Sequence, residues 1–82
     1  MEKDKKITEV ELESWIKRLG SSKPYRIVMK NGQGFHEVWF FYREWHYVVR
    51  ISGEDMMSSL KCQKKILEAC SLFEGQAKFR SL

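Results

Sequence analysis

The sequence is poor in the residues that punctuate or staple a chain. It has one proline, five glycines, two cysteines and two histidines among 82 residues. So little Pro and Gly excludes collagen-like and linker-like classes. Two cysteines are too few for a disulfide scaffold, and no Cys/His set has zinc-site spacing. Cys62 and Cys70 fall in one predicted helix, about 12 Å apart along its axis at 1.5 Å per residue. A disulfide tolerates Cα atoms only within about 7 Å, so both read as reduced thiols, one in the core and one partly exposed. No apolar run is long enough to span a membrane, and the charged start Met1–Lys6 leads into no signal-peptide stretch. A cytoplasmic setting, or a nuclear one in a eukaryote, is expected. No Gly-rich phosphate loop or metal motif occurs, so neither cofactor nor metal is implied.

What is present suits a soluble globular chain: 43% hydrophobic and 32% charged residues, with 15 Lys+Arg against 11 Asp+Glu for a net charge of +4. Length allows one domain. A chain this short buries only roughly 60–65% of the surface that its unfolded form exposes, which leaves no room for a cofactor domain beside a catalytic one. The aromatic content of 13% is high for so small a chain.

Residues 1–7 read as a flexible, solvated leader, 8–75 as one α+β domain and 76–82 as a tail. Thr8 with Glu11 forms a capping-box pattern. Behind it Leu12, Trp15, Ile16 and Leu19 keep helical spacing, which predicts a helix over 8–19 ended by Gly20. Residues 25–30 alternate as a strand, Asn31-Gly32-Gln33-Gly34 is a hairpin turn, 35–43 is a second strand and 45–52 a third. Gly53 breaks the run. Residues 54–73 are predicted as one long helix, with Met56, Leu60, Leu67, Cys70 and Phe73 near one face and Gly75 ending it. The order is α-β-β-β-α, a three-stranded antiparallel sheet with both helices on one face.

Side-chain parity then divides the aromatics. Trp45, Tyr47, Val49 and Ile51 alternate toward the helices. A two-residue turn at Arg43-Glu44 sets Tyr42 opposite Trp45 and Phe40 opposite Tyr47, and cross-strand partners share a face. The core set on the second strand is therefore His36, Val38, Phe40 and Tyr42. An even-length first turn pairs Ile27 with His36 and adds Tyr25, Ile27 and Met29. The outer face is left with Arg26, Val28, Lys30, Phe35, Glu37, Trp39, Phe41, Arg43, His46, Val48 and Arg50. A monomeric domain rarely exposes so large an apolar patch without a use. One reading covers it with a second copy or with residues 76–82. The other makes it a platform on which bases stack, with flanking cations.

Lys61, Lys64 and Lys65 share one side of the second helix and, with Lys17, Arg18, Lys23, Lys78 and Arg80, are candidates for phosphate contacts. His36, after Gly34-Phe35, sits where a catalytic histidine could stand, yet no partner residue has recognisable spacing with it; a structural role is the plainer reading. Neither cysteine has the context of a nucleophile.

Element order and local spacing resemble three families of α-β-β-β-α topology. Leu12–Gly20 is similar to the end of helix 1 in the double-stranded-RNA-binding domain. Lys61 and Lys64 match lysines at the start of its second helix, whereas Leu60 and Gln63 depart from it and Gln33-Gly34-Phe35-His36 replaces its Gly-Pro-x-His loop. Arg26–Lys30 and Tyr47–Arg50 resemble strands of the Alu-domain proteins of the signal recognition particle; that resemblance implies RNA on the exposed sheet face and a paralogous partner. Gly34-Phe35-His36 keeps the Gly and His of the Gly-Ser-His of HicA-type toxins, which would make His36 the catalytic residue of a ribonuclease. The expectation is a non-enzymatic RNA- or other nucleic-acid-binding module. Its site is Arg26, Lys30, Trp39, Phe41, Arg43 and Arg50 on the sheet, with Lys61, Lys64 and Lys65 on the helix. A ribonuclease using His36 and a protein-interaction or inhibitor module, viral or from a mobile element, that docks or dimerises through Trp39 and Phe41 are the alternatives.

Overall fold

A capping box starts the first helix. Thr8 Oγ1 accepts the Glu11 N–H at 3.1 Å and Glu11 Oε1 accepts the Thr8 N–H at 2.9 Å, which satisfies two of the donors a helix start leaves orphaned. In the computed structural model, which describes residues 3–77, the elements are α1 (Glu9–Gly20), β1 (Arg26–Asn31), β2 (Phe35–Tyr42), β3 (Trp45–Ser52), a 3₁₀ turn (Asp55–Met57) and α2 (Ser59–Ala77). The fold is α+β in the order α-β-β-β-α, with an open antiparallel sheet ordered β1-β2-β3. That topology is compatible with the double-stranded-RNA-binding-domain arrangement.

The β2–β3 register is the expected one: Tyr42 faces Trp45 and Phe40 faces Tyr47. The β1–β2 register is not. Ile27 faces Phe40 rather than His36, and His36 faces Asn31. The hairpin closes on Gln33-Gly34, tied by the Gly32 N–H donating to the Phe35 carbonyl at 2.8 Å. Gly34 takes the left-handed conformation, φ 77°, that side chains other than glycine's resist. Gly32 lies under the Phe35 ring, whose outer edge would have to swing aside for a Cβ there, 2.6 Å away. The slip is four residues, an even number, so every side chain keeps its predicted face.

The core forms between the sheet and the two helices. Val38, Phe40 and Ile51 are fully buried against Leu12 and Ile16 of α1 and Cys62, Ile66 and Phe73 of α2. Ile27, Met29, Tyr42, Tyr47 and Val49 pack against this cluster. Trp45, predicted to be in the core, is 47% exposed; it belongs to the last cross-strand pair before the turn, with no further pair beyond to enclose it. The buried stripe of α2 is Cys62, Ile66, Ala69, Cys70 and Phe73, and Leu60 and Leu67, expected on it, face solvent. Both thiols are consequently buried, against the expectation of one partly exposed. Burial pushes the Cys62 thiol up to about 11 and the Cys70 thiol upward too.

The expected single helix over 54–73 is broken at Ser58, which is extended (φ −129°, ψ 111°). Two sets of competing bonds explain the break. Asp55 turns back to accept the Ser52 N–H at 2.8 Å and the Ser52 hydroxyl at 3.0 Å. The chain before α1 then runs beside the gap: the Ile7 N–H donates to the Met56 carbonyl and the Ser59 N–H to the Lys5 carbonyl. Asp4 caps α2 through its acceptance of the Leu60 N–H at 3.0 Å and of the Ser58 hydroxyl. The predicted leader is therefore docked from Asp4 to Ile7, and Ile7 is itself buried. At the other end α2 continues through Gly75 to Ala77. Residues 78–82, with Lys78 and Arg80, lie outside the described residues.

Candidate nucleic-acid interface

Both helices pack on one face of the sheet, so among the described residues nothing covers the other. The ladder fixes its layout. Trp39 stands at the centre of β2 between Val28 and Val48; Phe41 lies between Arg26 and His46; Glu37 lies between Lys30 and Arg50. Rings of Trp39 and Phe41 are near-parallel, 5.6 Å apart at 13°, and His46 lies 5.9 Å from Trp39 at 25°. These aromatics are half-buried by their neighbours, while Arg26, Lys30, Arg43, His46 and Arg50 are exposed.

The cations lie over the rings. Lys30 Nζ is 4.4 Å from the centre of Trp39, Arg26 Cζ 5.3 Å from Phe41 and Arg50 Cζ 4.2 Å from Phe35. At the turn, Arg43 Cζ lies 5.1 Å from Tyr42. Lys30 and Arg50 flank Glu37 in register, yet the bond Glu37 makes is with the Trp39 indole N–H, at 3.1 Å. A cation over an exposed ring is worth about 0.5–1 kcal/mol, and a base stacked on the ring about 1–3 kcal/mol.

Five of the nine candidate residues, Arg26, Lys30, Trp39, Phe41 and Arg50, thus share this face, and Arg43 stands in the turn at its end with its guanidinium against Tyr42, a ring of the helix-facing side. His46 and Phe35 join them; parity placed both on the face, but the ring stack and the Arg50 pairing depend on side-chain reach that spacing does not report. The other three do not join. Lys61, Lys64 and Lys65 lie on α2, beyond the core from the outer face, and Lys65 is held by Asp55 at 3.0 Å. Asp55 is kept below the ordinary carboxylate range first by the Ser52 N–H, against the opposing effect of burial, and then by Lys65.

His36 faces the helix side and is half-buried, with Nδ1 2.8 Å from Asn31 Oδ1. Asn31 Nδ2 donates to Glu9 Oε2 at 3.0 Å. That bond turns Oδ1 toward the ring, so His36 bonds through a proton on Nδ1 and Nε2 is the other ring nitrogen available to bond. Asn31 and Glu9 were missed as its partners because the register error placed Ile27 opposite His36. Among the described residues no group of His, Cys, Asp and Glu could hold a metal ion, and no helix is long and apolar enough to cross a membrane. Comparison with protein-family models, curated proteins and solved structures finds no match for this chain.

Proposed function

We propose that the chain is a non-enzymatic nucleic-acid-binding module that takes single-stranded RNA on the outer sheet face. The observation that carries this reading is the arrangement of Phe35, Trp39 and Phe41, each with a cation within 4.2–5.3 Å of its ring centre, on a sheet face free of helices. Rings offer stacking to any base, and the cations offer neutralisation of the backbone without sequence preference. Single strands fit better than duplex because only unpaired bases present their faces to side chains. Lys61 and Lys64, on α2 beyond the core, take no part in it. A mobility-shift titration at low salt with single- and double-stranded RNA and DNA tests it. The expected result is binding at micromolar protein with single strands preferred over duplex; no shift with any of the four would sink the proposal.

A second reading rests on the Glu9–Asn31–His36 chain, which orients an imidazole as a general base would require, and makes the chain a ribonuclease. Expression toxicity relieved by His36→Ala supports it, and equal harmlessness of both forms removes it. Sedimentation addresses the interaction-module alternative: a tight homodimer dispersed by Trp39→Ala would assign the face to protein.

A further inference from the structure

A cleft of about 780 Å³ opens where β1 begins and β2 ends, with the last turn of α1 on its far wall. Lys17, Lys23, Arg26 and Arg43 line it, and no carboxylate does. Lys23 is held by Glu74 at 3.1 Å, which leaves Lys17, Arg26 and Arg43 as its uncompensated charges. Phe41 and Tyr42 contribute to its wall.

The cleft is continuous with the outer face. Arg26 and Phe41 belong to both, and the Arg26 guanidinium sits above the Phe41 ring. Arg43 stands at the same corner, next to Tyr42. The charges are spread over α1, β1 and the β2–β3 turn rather than converging on one point, so they suit an extended polyanion better than a small anion. The platform from Phe35 to Phe41 is about 20 Å long at 3.4 Å per residue, and the cleft lengthens that track around the β1 edge.

We propose that a single-stranded nucleic acid on the outer face continues over the β1 edge into this cleft, where Lys17, Arg26 and Arg43 hold its backbone phosphates. The inference rests on the outer-face reading above and adds to it a second, purely electrostatic subsite. Because the rings and the cleft are successive along the track, ligand length separates them. A short strand fills the rings alone, and a longer one reaches the cleft.

The test is a fluorescence-anisotropy titration of the full chain with labelled oligouridylates of about 4 and about 12 nucleotides, within the span of single-strand sites, repeated over a range of salt. In the wild type the longer strand binds more tightly and with a steeper salt dependence. Lys17→Glu is expected to leave the short strand unchanged and to lose about tenfold on the long one. Its salt slope falls by about 0.7 for each lost phosphate contact. Lys17→Gln shows the same change at smaller size, and the double variant Lys61→Glu/Lys64→Glu leaves both strands unchanged. Long-strand binding by Lys17→Glu at wild-type strength, or transfer of the loss to the α2 variant, overturns the inference while the outer-face reading stands. Failure of the wild type to bind either length removes both.

Discussion

Phe40 and Trp39 are adjacent in sequence and point to opposite sides of β2, so truncating each should damage a different property. Phe40 is fully buried, with Tyr25, Tyr47 and Phe73 rings 6.3, 6.2 and 5.8 Å from its own. Phe40→Ala leaves a cavity that three large rings, from β3, α2 and the loop before β1, cannot all close, and such truncations cost about 3–5 kcal/mol. At about 0.05–0.15 kcal/mol per residue, 82 residues give about 4–12 kcal/mol of total stability. Phe40→Ala is therefore expected to remove from about a quarter to all of that stability. Trp39→Ala removes the Lys30 contact, worth about 0.5–1 kcal/mol, and cross-strand pairing with Val28 and Val48 worth about 0.2–1 kcal/mol each. The sum of about 1–3 kcal/mol lowers the melting temperature by some 4–8 °C per kcal/mol for a domain of this size. Binding responds in the opposite order: loss of one stacked base at about 1–3 kcal/mol weakens affinity about 5- to 150-fold. Circular-dichroism melts and urea titrations, followed by oligonucleotide titration of the folded Trp39→Ala protein, measure both. If Trp39→Ala destabilises as much as Phe40→Ala, the two faces are not divided as parity requires. If it binds as well as the wild type, the ring is not a stacking platform.

Three further outcomes follow from local geometry. Arg43 holds φ 57° in the β2–β3 turn, a conformation that costs a side-chain-bearing residue about 1–2 kcal/mol; Arg43→Gly should melt no lower than the wild type and Arg43→Val clearly lower, and a destabilised glycine variant would refute strain at this turn. Asp55 and Glu74 are both held below the ordinary carboxylate range, Asp55 chiefly by the Ser52 N–H and Glu74 chiefly by the Tyr25 hydroxyl. A depressed folded-state pKa gives stability that is present above the unfolded value, near pH 4, and is lost as pH falls through the folded one; melting temperature should drop below pH 4, with a smaller drop in Asp55→Asn. The buried thiols of Cys62 and Cys70 should react with a thiol-specific disulfide reagent at pH 8 only after denaturant is added, and fast labelling of either in the native protein would contradict the packing of α2.

The parts of the fold legible in sequence are those set by parity and by strictly local chemistry. Thr8 and Glu11 cap each other across a single turn, so two residues suffice to place the start of α1. Trp39 and Phe40 fall on opposite faces whatever the register, provided that each hairpin is even. That is why a four-residue error at Asn31–Gly34 left the outer aromatic set intact yet hid the Asn31–His36 pairing. The error has a physical source. Asn-Gly advertises a tight turn, but the left-handed residue here is Gly34, and Gly32 lies in the ladder beneath the Phe35 ring.

What escaped the sequence depends on contacts between distant segments. Helical periodicity alone ran residues 54–73 together, whereas Asp4 and the backbone of Lys5 and Ile7, some fifty residues away, cap and interrupt that run at Ser58. The break bears on the misjudged stripe at its start: Leu60 follows a cap rather than the middle of a helix and stays at the surface, while Cys62 and Ile66 turn inward. The candidate site divides along this line as well. Strand alternation and the ladder place Arg26, Trp39 and Arg50 on one face without any knowledge of the helices. Lys61, Lys64 and Lys65 required the helix to be placed in three dimensions, and placing it moved them to the far side of the core. Under the proposed reading, the charge a polyanion would meet is therefore not the total of +4 but the local set on the sheet face together with Lys17 and Arg43 at its edge. On the strands of that face Arg26, Lys30 and Arg50 stand against Glu37 alone, which is turned to the Trp39 indole.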